Sequence, residues 1–278
     1  MVTYVDASAK SRRTSGVIPL HGAEGFEGMR KAGALTAQAL DILTEYVEPG
    51  VTTDKLDQIA YEFARDNGAV PATLFYKGFR HSVCTSINHV VCHGIPDDRG
   101  LREGDIVNVD LTLIVDGWYG DSSRMYPVGE ISRKAERLIE VTYESLEAGL
   151  AAAKPGNTTG DIGAAIQAVA EGERMSVVRD FVGHGVGRLF HDEPNILHFG
   201  TPGTGVPLKP GMIFTIEPMI NLGKPHVKIL ADGWTAVTRD RTLSAQCEHS
   251  IGITETGHEI FTASPGGLFN PLEARKQS

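Results

Sequence analysis

Apolar side chains recur every three or four positions from Phe26 to Val47, through Met29, Ala32, Leu35, Ala39, Ile42 and Leu43. That period predicts a helix with one buried face, stopped by Pro49-Gly50. Leu56, Ile59, Ala60 and Phe63 repeat the pattern, with Thr53 as the expected cap and Gly68 as the stop. From Thr73 to Val128 the chain changes to short apolar runs punctuated by glycine, which predict strands. The helical period returns over Arg133 to Ala153, ended by Pro155-Gly156, and over Asp161 to Glu173, capped by Thr159. Strand-like runs follow at Met212 to Ile220, Ala236 to Thr238 and Glu248 to Thr254. The order helix, helix, strands occurs twice, so the expected class is α+β. Residues 1–24 read as an irregular polar extension and the end from Leu272 as a frayed polar tail. The span 25–270 is then one unit of two halves, about 25–130 and 131–270.

The halves also share words. Pro49-Gly50-Val51-Thr52-Thr53 recurs as Pro155-Gly156-Asn157-Thr158-Thr159, and His93-Gly94 as His184-Gly185. The run from Leu101 to Asp110 recurs from Leu208 to Glu217, so Asp110 falls on Glu217. Asp116-Gly117-Trp118 returns as Asp232-Gly233-Trp234. Two related halves that face each other bring equivalent acids together. Acids gathered inside a fold repel one another and resist desolvation unless a cation sits among them. A metal site is the first hypothesis.

Ile106 to Val115 alternates, with Val107, Val109, Leu111 and Leu113 on one face and Asn108, Asp110 and Thr112 on the other. Asp116-Gly117 is a two-residue hairpin signal. That turn pairs Asp110 with Ser123 and sets Asp121 diagonally from Asp110 on the same face. Diagonal neighbours lie ~7–8 Å apart at the backbone, close enough for both carboxylates to reach one ion. Among ten histidines, His93, His184, His191 and His249 stand in glycine-rich or apolar settings that suggest sites. His21, His81, His89, His198, His226 and His258 read as structural or surface residues. Asp110, Asp121, Glu217 and Glu248 with His184 make four carboxylates and one imidazole. Two divalent cations balance four negative charges. Oxygen-rich donors with one imidazole suit Mn, Fe, Co or Zn.

Composition narrows the setting. Net charge is −9, so no global field draws the chain to nucleic acid or an anionic membrane. Lys10, Arg12 and Arg13 make only a small basic spot. Cys84, Cys92 and Cys247 are odd in number, with no CxxC pair, so free thiols in a cytoplasmic protein are expected. No apolar run approaches the ~20 residues of a membrane span, and the N-terminus lacks a signal-peptide core.

The ordered set Asp110, Asp121, His184, Glu217, Glu248 resembles the ligands of the type I methionine aminopeptidases, members of the pita-bread metallopeptidases. Ser86-Ile87-Asn88, Val91-Cys92-His93-Gly94-Ile95-Pro96, Gly183-His184-Gly185-Val186-Gly187, Phe190-His191 and Thr215-Ile216-Glu217-Pro218 match as well. The resemblance covers about Phe26 to Ile260. It implies two pseudo-symmetric αβ halves around a curved antiparallel sheet. It implies that Asp110 ligates one of two divalent ions, that Asp121 and Glu248 bridge both, and that His184 and Glu217 hold the other. His93 and His191 are implied to touch substrate, and Glu217 to shuttle a proton. Tyr76, Phe79, Cys84, Phe190 and Trp234 are implied to form the methionine pocket. Backbone oxygens near Asn88, Val90 and Ser244 are implied to hold a monovalent cation. The implied reaction removes the initiator methionine from a peptide or nascent chain before a small second residue. The implied protein is a cytoplasmic monomer with transient ribosome contact. Phe79 and Thr73 depart from residues common in that family, which touches pocket detail. Proline-specific peptidases and non-catalytic binding proteins of the same fold are the competing readings.

Overall fold

The computed structural model describes residues 2–8, 16–270 and 272. Lys10, Arg12, Arg13 and the tail beyond Leu272 lie outside them. Four helices carry the frame: α1 (Ala23–Leu43), α2 (Thr53–Asp66), α3 (Arg133–Ala152) and α4 (Thr159–Gly172). The equivalent helices α2 and α4 start alike. Thr52 Oγ1 accepts from the Lys55 N–H, and Thr158 from the Asp161 N–H. Each cap falls one residue before the expected Thr53 and Thr159. The Asp161 carboxylate also accepts from the Thr158 N–H at 2.7 Å, completing a reciprocal capping box.

In the first half α1 lies on a long hairpin, Ile106–Val115 and Trp118–Pro127. Asp116 and Gly117 at its tip have φ of 50° and 77°, the two left-handed positions of a type I′ turn. Asp110 pairs with Ser123 and Thr112 with Asp121, as the alternation predicts. Val107, Val109, Leu111 and Leu113 are buried against Leu40, Leu43 and Leu56. Each such burial stabilises the fold by about 1.5–3 kcal/mol. Helix and sheet approach closely because Gly120 has no side chain: a Cβ there would run into the Ala32 backbone.

In the second half α3 and α4 cover the strands Ile213–Ile216 and His249–Ile253, with Leu138, Ile139, Ile162 and Ile166 packed on Phe214, Ile216 and Ile251. Those strands belong to a five-stranded antiparallel sheet that also holds Gly183–Gly185, Asp192–Ile196 and His258–Ile260. The halves meet where the Glu248 N–H donates to the Ser123 carbonyl at 3.1 Å.

Several expectations change. The expected extension contains a parallel pair, Thr3–Asp6 with Val17–Leu20, and Ile18 is buried in the second core. Its apolar residues, split between two four-residue strands, are too few in each to register as a period. α1 begins at Ala23 rather than Phe26 and ends at Leu43 rather than Val47. Leu272 is buried, not frayed. The expected strand Met212 to Ile220 divides into Ile213–Ile216 and Met219–Asn221, because Pro218 has no N–H for a ladder. Glu217 stands in that break. No helix among the described residues is long and apolar enough to cross a membrane.

Candidate metal centre and substrate cavity

Asp121, His184 and Glu248 each place a donor atom within 4.8 Å of the others, and all three are buried. They come from three places: the hairpin, the glycine-flanked strand and the isolated bridge at which the halves meet. Glycines admit His184 to this packing. A side chain at Gly183 or Gly185 would run into the Thr215 or Glu193 carbonyl. Glu217 Oε1 lies 3.7 Å from His184 Nε2, and Asp121 Oδ2 lies 3.6 Å from it. Asp110 and Glu217 line the same cavity as the other three. All five residues singled out as donors are therefore brought together.

Burial pushes the Asp110 carboxyl up to about 7. Burial, then the neighbouring acids, hold Asp121, Glu217 and Glu248 well above the usual carboxylate range. The basic side chain in the cavity wall, Lys77, is exposed and cannot neutralise them. Burial also pulls His184 down to about 4, leaving a neutral imidazole at pH 7. Its Nδ1 lies 3.0 Å from the Gly185 carbonyl. Donation there puts the proton on Nδ1 and leaves the Nε2 lone pair facing the acids. Such a set, all acceptors and short of positive charge, fits a divalent metal.

Neighbouring side chains aim the acids. Thr112 donates to Asp121 Oδ1 at 2.6 Å and Thr215 to Glu217 Oε1 at 2.8 Å. Gln246 Nε2 donates to Glu217 Oε2 at 3.3 Å. The Glu217 N–H, freed by the strand break, donates to His198 Nε2 at 3.1 Å. His198, taken as structural, thus supports a donor residue directly. Thr112 and Thr215 were legible: each shares a strand face with an acid in the two-residue alternation. His249, expected to mark a site, does not line the cavity. It stacks on Phe269 with ring centroids 3.8 Å apart, and its Nδ1 meets Thr262 Oγ1.

The cavity holds about 400 Å³. Tyr76, Phe79, Cys84, Phe190 and Trp234 line it, as expected, together with Cys92, Phe181 and Met219. Burial pushes both thiols up, so they act as small apolar surfaces. His93 has a φ of 56° and sits edge-on to Phe181 and Trp234. His191 lies 4.2 Å from the His184 ring, and its Nδ1 meets Tyr76 Oη at 3.2 Å. Asn88 and Ser244 meet elsewhere, and Val90 pairs with Val237. The Ser244 N–H donates to the Asn88 carbonyl, while Ser244 Oγ and Asn221 Oδ1, on paired residues, are buried without a partner among the described residues.

Residues 27–255 match the profile of metallopeptidase family M24. The chain belongs to this family of hydrolases and has its pita-bread fold. With the donor cluster, membership establishes divalent-metal use. Among its relatives the chain is similar to methionine aminopeptidases. It is 55% identical to that of Rickettsia prowazekii (strain Madrid E), over 91% of this chain and 98% of the relative. It is 52% identical to that of Escherichia coli (strain K12), over 86% and 91%. A crystal structure of the Rickettsia prowazekii enzyme superposes with a TM-score of 0.88, covering 88% of this chain and 99% of that one. The prolidase of Pyrococcus horikoshii OT3 shares the fold alone, at 20% identity and a TM-score of 0.69.

Proposed function

We propose that the chain is a methionine aminopeptidase that holds two divalent ions. It hydrolyses the first peptide bond of a peptide or nascent chain that begins with methionine and continues with a small residue. The observation that carries this reading is one cavity lined by five donors, four of them buried and Asp110 half-buried, together with apolar and aromatic side chains. The wall suits an unbranched thioether, which adapts to irregular apolar surfaces and makes favourable contacts with aromatic rings. Four carboxylates match the charge of two divalent ions, and Asp110, Asp121, His184, Glu217 and Glu248 would hold them. Bound there, such ions supply Lewis-acid polarisation of the scissile carbonyl and a water acidified from ~15.7 towards ~7.

The protein's own residues do the rest. Glu217, steadied by Thr215 and Gln246, takes the proton of the attacking water and passes it to the leaving amine. With the Tyr76 hydroxyl, 3.2 Å from His191 Nδ1, acting as donor, Nε2 would carry the imidazole proton and donate it in a hydrogen bond to the developing oxyanion. His93, kept neutral by burial, orients the amide nitrogen. A monovalent cation beside Asn88, Val90 and Ser244 would complete the two unpartnered oxygens of Ser244 and Asn221.

The test is release of methionine from Met-Ala-Ser by protein stripped with chelator and titrated with Co, Mn, Fe or Zn. Activity returning with metal, and demanding methionine at the first position, is expected. Preference for X-Pro peptides would move the reading to a proline-specific peptidase. A protein that binds no metal would sink it.

A further inference from the structure

We infer that Arg188 is a positioning residue that aims His191 and Phe190 into the cavity. This rests on the role proposed for His191 above. Gly185 pairs with Asp192, so residues 186–191 form a closed excursion from the sheet. The excursion has no helix or strand of its own, and its last member is exposed. Burial therefore does not fix His191. Its orientation depends on Tyr76, which it meets in the cavity, and on what holds the far end of the loop.

Arg188 holds that end to the hairpin and to α1 by three contacts. Its Nη1 donates to the Asp116 carbonyl at the hairpin tip at 2.6 Å. Its Nη2 donates to Glu24 Oε1, in the first turn of α1, at 3.2 Å. Its guanidinium carbon lies 4.1 Å from the Trp118 ring centroid. Trp118 is in turn packed edge-on against His21 at 5.6 Å. A planar, forked cation can stack and donate in two directions together, whereas an ammonium cannot. Two backbone bonds tie the near end of the loop, from the Tyr119 N–H to the Gly187 carbonyl and from the Val186 N–H to the Ile213 carbonyl. Beyond Arg188 the chain turns inward: Phe190 stacks on Tyr119, and His191 on Tyr76. Arg188 does not line the cavity, so its influence on substrate runs through these two side chains.

The test compares full-length Arg188→Ala, Arg188→Lys, His191→Ala and the double variant Arg188→Ala/His191→Ala, all loaded with cobalt and assayed on Met-Ala-Ser. Arg188→Ala should lower kcat about tenfold, the scale of a small misplacement at a reacting centre, with cobalt content unchanged. Arg188→Lys should recover only part of the rate. The double variant should lose clearly less than the product of the two single losses, because Arg188 acts in large part through His191. In metal-free protein, Arg188→Ala should move or broaden the imidazole nitrogen resonances of His191 and leave those of His249 in place. Losses that multiply in the double variant, or unchanged His191 resonances, would overturn the inference. So would full activity in Arg188→Ala. Full activity in His191→Ala would instead overturn the role of His191 itself.

Discussion

At the residue scale, the acids depend on neighbours that carry no charge. Thr112 spends its hydroxyl proton on Asp121 Oδ1, which favours the ionised carboxylate and fixes its direction. Thr112→Val keeps the shape and removes that donor. Metal affinity should fall about 10- to 100-fold, the usual effect of losing a partner of a metal ligand. Rate should return when metal is raised, and titration calorimetry in parallel with the assay checks both. His93→Ala should behave in the opposite way. His93 faces Phe181 and Trp234 rather than the donor cluster, so metal content should stay while kcat falls. Lost metal would make His93 a ligand. Asp110 and Glu217 were legible because each ends an apolar run and the two are repeat equivalents, Asp121 because the hairpin turn sets it on the face of Asp110, His184 from its glycine setting and Glu248 from the apolar strand it leads into. His198 was not, because its link to Glu217 is made by a backbone N–H that only the Pro218 break sets free.

At the element scale, the long amphipathic stretches gave their positions away and the short ones did not. α3 was read almost to the residue, since twenty residues supply many turns of evidence. The hairpin was read to its register, because Asp116-Gly117 fixes the turn and the turn fixes every pair that follows. The pair Thr3–Asp6 and Val17–Leu20 was missed because four residues offer only two inward positions each. Close packing of elements was also hidden. Nothing in the alternation of the hairpin marks Gly120 as the point where α1 rests on the sheet. Gly120→Ala should force α1 and the hairpin apart, at a cost of about 1–3 kcal/mol. Urea unfolding reads this as a lower midpoint with an unchanged slope. Because Asp121 is the next residue in the same strand, metal affinity should fall with stability.

At the scale of the whole molecule, the two halves stabilise each other only if the charge between them is met. The inner carboxyls come from both halves: Asp110 and Asp121 from the hairpin, Glu217 from just after the strand Ile213–Ile216 and Glu248 from just before the strand His249–Ile253. In metal-free protein they keep protons that the unfolded chain releases near ~4. Their folded pKa values are raised, Asp110 to about 7 and the others also upward. The folded state therefore binds more protons between these limits, and its stability falls as pH rises through them. That contribution is complete below ~4 and lost as pH passes the folded values. A divalent ion reverses the sign, because it replaces those protons and binds the ionised acids more tightly as pH rises. At 100 times its Kd a ligand adds about 2.7 kcal/mol, several degrees in Tm for a chain of this size. Thermal unfolding should be recorded from pH 5 to 8, once in chelator and once in saturating manganese. The gap in Tm between the two curves should widen steadily with pH. The other titrating groups act on both curves alike, so the gap isolates the site. Parallel curves would mean that the acids do not receive the ion, and that the charge between the halves is met in some other way.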